Sequence, residues 1–314
     1  MNGLLLVDKP PGITSFDVVR KVRRWCATRQ VGHCGTLDPA ASGVLPVAVG
    51  SVTRLVEYLL AGDKEYLATL RLGVVTDTHD GEGAVLATHP WNGIDRDRLE
   101  VVAAGFRGAI QQVPPMYSAL KRDGVPLYKL ARQGLEVERQ PRAVQIDALE
   151  ILAVDLPEVT LRIVCSKGTY IRTLCHDLGQ RLGCGAHMAT LRRTRCGAFP
   201  ISRCTDVAEL EALAAAGQPL PLLPPAAALP AWPGLQLTAA ARTRLANGIP
   251  PALTELSPPA TLVSGQPVRL LAGEELGAVG CYRSAEAGGG SGAFELWKVF
   301  PEALSAAEKL YSGA

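Results

Sequence analysis

The segment Gly32-His33-Cys34-Gly35-Thr36-Leu37-Asp38-Pro39 sets one acidic side chain between glycines and a proline. An Asp-Pro pair opens turns on local chemistry alone, so a structural role accounts for this segment when it is taken singly. The chemical reading is that the glycines and Pro39 fix Asp38 at the lip of a cleft. There an ionised carboxylate serves as nucleophile or base and needs no cofactor. To stay charged in a partly dry site it needs a cation. Ser166-Lys167-Gly168-Thr169-Tyr170-Ile171-Arg172, at a predicted strand-to-helix junction, supplies one. The Arg172 guanidinium is expected to hold the carboxylate by paired hydrogen bonds and to keep its pKa low. Tyr66 is an aromatic that either faces the same cleft or is one ordinary ring in a strand. Asp80, in Thr76-Asp77-Thr78-His79-Asp80-Gly81, reads by itself as a loop acid. Cys184 and His187 stand three apart without a second ligand pair at zinc spacing, so no metal site is expected.

Composition narrows the classes that could use such a carboxylate. The chain has 314 residues, 47% hydrophobic and 20% charged, with a net charge of +2, which excludes a disordered chain and predicts about two globular domains. No run of about 18 apolar residues is present and no signal peptide is expected. Eight cysteines without a C-x-x-C pair then read as reduced thiols of a cytoplasmic protein. The charge is unevenly placed. Residues 1–204 carry 26 basic and 20 acidic side chains, whereas residues 205–314 carry 6 and 10. Val18 to Leu37 holds five basic residues and no acid, and Arg162 to Arg203 holds eight with the single acid Asp177. A charge run is ordinarily a solvated face, but two runs beside the Asp38 and Arg172 segments predict a polyanion-binding surface. Nucleic acid is the expected partner, and charge does not separate DNA from RNA.

These residues need elements to position them. Leu4 to Val7 reads as a short buried strand, ended by the turn residues Asp8 to Gly12. Ser15 is the predicted N-cap of a helix whose inner face is Val18, Val19, Val22, Trp25 and Cys26. A glycine-punctuated loop over 32–43 leads to a strand at 44–49 and a helix at 52–60. Strands are predicted at 66–72, 143–154, 159–166 and 189–197. Helices are predicted from Asp95 to Phe106, from about Thr169 to Leu182, and over 206–216. Tyr117 to Gly134 reads as a strand, a turn at Asp123-Gly124 and a short helix. The mixture predicts an α+β fold with a mixed, largely antiparallel sheet flanked by helices. Six prolines between 217 and 234 mark a linker. Residues 1–216 then form one domain and 235–314 a small β-rich module, in which Gly288 to Gly292 is a hairpin loop, not a phosphate cradle.

Taken together, these segments resemble the TruB-type tRNA pseudouridine synthases of bacteria. The resemblance runs in order over most of residues 3–200. It includes Leu6-Val7-Asp8-Lys9-Pro10, Val31 to Pro39, Lys64-Glu65-Tyr66, Thr76-Asp77-Thr78, Tyr117 to Lys121, Ser166 to Thr173, and Leu182 to His187 with Leu191-Arg192-Arg193. It implies a pseudouridine synthase fold followed by a C-terminal RNA-binding domain of the PUA-like type, to which residues 235–314 are only loosely similar. By this resemblance Asp38 is the catalytic nucleophile, Arg172 its ion-pair partner and Tyr66 the aromatic that stacks on the target base. His33 holds displaced loop nucleotides, Tyr170 and Leu191 contact substrate, and Asp80 makes a polar contact near the flipped base. Lys9 and Pro10 support the catalytic loop. Two positions depart from the pattern: Cys34 stands where a small hydroxyl residue is expected, and the segment 79–83 has one acid fewer. Neither removes a catalytic group.

The implied reaction converts uridine 55 of the tRNA T-loop to pseudouridine. It neither oxidises nor transfers a group, so no cofactor is expected. A stacked uridine must first be flipped out, at a cost of a few kcal/mol, and stacking on Tyr66 recovers about 1–3 kcal/mol. Whether Asp38 attacks C1′ or C6, or removes a sugar proton, stays open at this level. The alternatives are a guide-dependent synthase and a non-enzymatic tRNA-binding or tRNA-folding protein. The first motif block begins a few residues from Met1, which favours a standalone enzyme, expected to be a monomer working without guide RNA and away from membranes.

Overall fold

The computed structural model describes residues 1–118, 120–257, 262–284 and 293–304. Strand β1 (Gly3–Lys9) leads through the Pro10–Ile13 turn into helix α1 (Ser15–Trp25), followed by β2 (Val31–His33) and β3 (Ser42–Val49). The predicted helix over 52–60 is a 3-10 turn, Gly50–Leu55, continued by α2 (Val56–Leu59). Next come β4 (Lys64–Leu72), the hairpin β5–β6 (Val74–Thr76, Val85–Thr88), α3 (Arg96–Ala104) and β7 (Gly108–Gln112). A small hairpin, β8–β9 (Lys121–Arg122, Val125–Pro126), and α4 (Leu127–Ala131) precede the long pair β10 (Arg142–Asp155) and β11 (Glu158–Cys165). Helix α5 (Ile171–Leu182), β12 (Ala186–Cys196), β13 (Phe199–Pro200), β14 (Thr205–Asp206) and α6 (Val207–Ala215) complete this part.

Among the described residues, ten of these strands form one sheet in the order β14-β1-β3-β12-β4-β11-β10-β7, with β2 on β3 and β13 on β12. Only β1–β14 and β3–β12 pair in parallel, so the sheet is mixed and largely antiparallel and the fold is α+β. Strand β1 is buried on both faces, and its alternation divides it between two cores. Leu5 and Val7 join the core beneath α1, α3, α5 and α6, whereas Leu4 and Leu6 join a second core on the opposite face.

That second face is covered by a five-stranded sheet. It comprises β15 (Gly234–Leu237), β16 (Leu256–Ser257), β17 (Pro267–Ala272), β18 (Glu275–Arg283) and β19 (Ala293–Val299), with helix α7 (Ala239–Ala246) between the first two. The proline-rich stretch from 217 does not hang free: Leu223 pairs backbone to backbone with Leu4 at 2.9 Å in both directions. The expected hairpin loop at Gly288–Gly292 lies outside the described residues.

One predicted cap moves by a residue. Thr14, not Ser15, caps α1: its hydroxyl accepts from Asp17 N while the Asp17 carboxylate accepts from Thr14 N, a reciprocal capping box. Ser15 is buried and is committed elsewhere.

Candidate active site

The Asp38 loop is held from below by three side chains. The Ser15 hydroxyl donates to the carbonyl of Leu37 (3.0 Å) and accepts from its N–H (2.8 Å), so the first turn of α1 grips the residue before Asp38. Fully buried Lys9 donates from Nζ to the carbonyls of Pro10 (2.8 Å), Ile13 (2.8 Å) and Pro39 (3.2 Å), tying the turn after β1 to the residue after Asp38. Burial lowers its pKa to about 8, opposed by the nearby Asp38 charge. Arg193, 1% exposed on β12, donates from Nε to Val44 O (2.7 Å) and from its two Nη atoms to Thr36 O (3.3 Å) and Gly35 O (3.1 Å). Gly43 completes the fit. Its φ is +105°, and a Cβ there would lie 2.2 Å from the Arg193 carbonyl, so a side chain would push the loop off β12.

Arg172 sits in the first turn of α5 with its side chain 7% exposed. The helix entry is set by Gln112 of β7, whose side-chain amide accepts from Tyr170 N (2.8 Å) and donates to Tyr170 O (3.1 Å). The guanidinium reaches Asp38 Oδ2 through Nη2 and Asp80 Oδ2 through Nη1, both at 3.5 Å. It also donates to the carbonyl of Tyr117. Asp80 is fixed in its turn by the Thr78 hydroxyl and by Glu82 N (3.1 Å), both donating to Oδ1. The expected doubly hydrogen-bonded pair is therefore replaced by one guanidinium shared between two carboxylates. The direction of the Asp38 shift changes with it. Desolvation is the largest influence and raises its pKa; Arg172 and Lys9 oppose this, and Asp80 adds to it. Asp38 still presents 37% of its side chain to solvent, so a substrate can reach it.

Tyr170 flanks this group, its ring centroid 6.0 Å from the Arg172 guanidinium carbon. Burial raises its hydroxyl pKa. Tyr66 lies on β4 opposite Arg193 of β12 and is 8% exposed. Burial pushes its hydroxyl up to about 12 against the charge of Arg193, so the phenol stays neutral at physiological pH. Tyr66 is thus the cross-strand neighbour of the arginine that holds the Asp38 loop. His33 is half-buried on β2 and kept neutral by burial and by Arg193. Leu191 stands on β12 opposite Ala68, packed partly against the core. Among the described residues no hydrogen bond or ion pair joins His33 or Leu191 to Asp38. Pro10 contributes a carbonyl to Lys9.

Ser15, Arg193 and Gln112 are not among the site residues expected from the sequence. Ser15 carries the signature of a cap, Arg193 lies in a basic run that reads as solvated, and Gln112 carries no local signal. The two basic runs are also less free than their counts suggest. Lys21 and Arg24 pair with Glu211, Arg20 with Asp17, Arg162 with Glu65 and Glu150, and Arg192 with Asp8.

Solved structures with this architecture include the Cbf5-Nop10-Gar1 complex, which matches 96% of this chain and 86% of the solved chain with a TM-score of 0.74 at 28% identity. An H/ACA RNP bound to a substrate RNA containing 2′-deoxyuridine matches with a TM-score of 0.72 at 27% identity, over 95% of this chain and 84% of the other. The family models define the class, a pseudouridine synthase. Residues 23–171 match the N-terminal domain model of the TruB family pseudouridylate synthases, and residues 172–221 match the tRNA pseudouridylate synthase B C-terminal domain. A protein of Syntrophotalea carbinolica named tRNA pseudouridine synthase B is 45% identical over 300 residues, 96% of this chain and 98% of its own length. One of the same name from Stutzerimonas stutzeri is 50% identical over 242 residues, 76% and 79% of the two chains. The chain belongs to the TruB family.

Proposed function

We propose that this protein isomerises uridine 55 in the T-loop of tRNA to pseudouridine, acting alone and with Asp38 as the reacting group. The observation that carries the reading is the partly open Asp38 carboxylate, fixed on a clamped loop beside the buried Arg172. Family membership and relatives named for tRNA pseudouridine synthesis supply the substrate class. The target base leaves its stack and packs against Tyr66. The bond from C1′ to N1 breaks and one from C1′ to C5 forms within the same nucleoside. The proton lost from C5 balances the one gained at N1, so nothing is oxidised. Asp38 engages the nucleoside as an anion, either at C1′, at C6 or on a sugar proton. Arg172 holds that anion in place. Tyr66, kept neutral, is suited to stacking and not to proton abstraction at neutral pH. His33, Asp80, Tyr170 and Leu191 line the substrate side, while Lys9 and Pro10 support the loop. In this reading 1–216 is the catalytic part, 217–234 a strap and 235–314 an RNA-binding module.

Tritium release from C5-labelled uridine in an unmodified tRNA transcript tests this directly. Purified protein is expected to release one equivalent without guide RNA or partner protein. Asp38→Asn is expected to release none while binding tRNA within a few-fold of wild type. Unchanged release from that variant would refute the site, and silence from the unaltered protein alone would favour the guide-dependent or non-enzymatic alternative. Mapping the product to a position other than 55 would correct the target.

A further inference from the structure

Phe16 is the one aromatic among the large apolar side chains that the described residues leave exposed, with 53% of its surface open. It contributes nothing to the α1 core face, which is Ser15, Val18, Val19 and Val22. Its ring instead packs with two guanidiniums one and two turns along the helix. Arg20 and Arg23 place their central carbons 5.9 and 5.7 Å from the ring centroid. The positions 16, 20 and 23 line up on one ridge, as spacings of four and three residues require, with Phe16 and Arg20 exposed and Arg23 half-buried. The helix that carries the ridge also holds the Asp38 loop and the start of β2. Ser15, next to Phe16, grips Leu37 before Asp38. Arg23 donates from Nη2 to Val31 O at 3.3 Å, at the start of the strand that carries His33.

We propose that the Phe16–Arg20–Arg23 ridge is a stacking ledge for an unpaired RNA base next to the nucleotide that enters the Asp38 cleft. The inference rests on the reading of Asp38 as acting on an extruded uridine. Extruding a nucleotide unstacks its neighbours, and those neighbours need a surface at the mouth of the cleft. A planar ring bracketed by guanidiniums is what non-sequence-specific recognition of unpaired bases uses: every base has a face to stack, and the cations serve the adjoining phosphates. A protein partner fits less well, since the ridge is one ring among cations and not a contiguous apolar patch. The Arg20–Asp17 pair does not block this, because an exposed ion pair is weak and exchanges readily for a phosphate.

The experiment measures fluorescence anisotropy with a labelled T-arm stem-loop RNA, in the Asp38→Asn background, so that binding is read without turnover. Phe16→Ala is expected to weaken binding about 5- to 150-fold, the range of one base–aromatic stack. Phe16→Trp is expected to bind as tightly as Phe16 or tighter. Phe16→Leu, which stays apolar but loses the ring, is expected to bind as weakly as Phe16→Ala. With a fully paired RNA of the same stem, Phe16→Ala is expected to change nothing. Unchanged affinity of Phe16→Ala for the stem-loop would overturn the ledge, as would full retention by Phe16→Leu or equal losses on loop and duplex. Tritium release by the unaltered protein tests the enzymatic reading separately, so either idea can fail alone.

Discussion

Asp38 is coupled to Asp80 through one guanidinium, and this sets the expected pH behaviour of the site. Both carboxylates lean on Arg172 at 3.5 Å, and Asp80 raises the Asp38 pKa further above the level that burial imposes. Activity that requires the Asp38 anion therefore fails on the acid side at a higher pH than an ordinary carboxylate would dictate. Asp80→Asn removes one negative neighbour and frees guanidinium charge for Asp38, and both changes favour the anion. The acid limb of single-turnover tritium release is expected to move to lower pH in that variant, whatever happens to the plateau rate. A limb that moves up, or stays in place, would show that Asp80 does not tune Asp38. Asp177, the lone acid of the second basic run, has a different part. Burial raises its pKa to about 6, so the folded protein binds a proton there that the unfolded chain, near 3.8, does not. Its carboxylate thus costs stability above about pH 6, a cost that disappears as the pH falls. His79, lowered to about 4 by burial and by neighbouring His176, and His176 itself, act in the opposite sense. The unfolded chain protonates these imidazoles first, so stability is lost as the pH falls from about 6.5 towards 4. Asp177→Asn is expected to raise stability at pH 7.5 by about 1–2 kcal/mol and to steepen the loss on acidification to pH 5. Thermal melts at the two pH values check both signs.

At the scale of elements, the helix α1 has two attachments with different purposes. Val18, Val19 and Val22 bury it against the sheet, and their spacing makes the helix legible in the sequence alone. Ser15 attaches it to the Asp38 loop, a bond between residues 22 apart that no local pattern announces. The same contrast runs through the whole site. Strand positions and the end of α5 at Leu182 are legible because turn residues and alternation are local signals, whereas the place of Arg172 beside Asp38 is an expectation that the resemblance supplies. The sharing of Arg172, the burial of Arg193 and the Gln112 bridge are not legible, because each depends on which strands become neighbours. An arginine in a basic run looks solvated until the sheet order puts β12 beside β3 and closes three carbonyls over Arg193. Ser15→Ala isolates the second attachment. Thr14 still caps the helix, so α1 persists, while Leu37 loses both partners in a buried place. We expect about 1–3 kcal/mol of lost stability and a fall in the single-turnover rate, with tRNA affinity near wild type. Loss of stability without loss of rate would mean that the loop holds its shape through Lys9 and Arg193 alone.

On the scale of the whole molecule, the two sheets are not separate bodies joined by a strap. Leu4, Leu6, Val44, Val52 and Leu55 of the large sheet and its flank share one core with Leu276, Val279 and Phe300 of the small one. Tyr58 stacks on Trp297 with ring centroids 5.4 Å apart, and Trp232, from the proline-rich stretch, meets both rings edge-on. Polar contacts cross the same seam: Lys298 pairs with Glu57 at 3.1 Å, and Arg54 donates to Val299 O at 2.7 Å. The face of β1 and β3 opposite α1 is therefore covered jointly by the 50–59 segment, by the proline-rich stretch and by Leu276, Val279 and Phe300 of the small sheet. This shared core dictates how the molecule melts. The full chain should unfold in one calorimetric transition, since each sheet loses the core it shares with the other when that other melts. A chain ending at residue 234 should expose Leu4, Leu6 and Val44, bind a hydrophobic dye and melt well below the full chain, even though Asp38, Arg172 and every clamp described above remain. Trp297→Ala gives the graded version, with an expected loss of about 2–3 kcal/mol for a half-buried ring and an intact tritium-release rate below the new melting temperature. Two well-separated transitions in the full chain, or a truncated chain as stable as the whole, would show that the seam is a contact between independent domains and that the strap at 217–234 alone keeps them together.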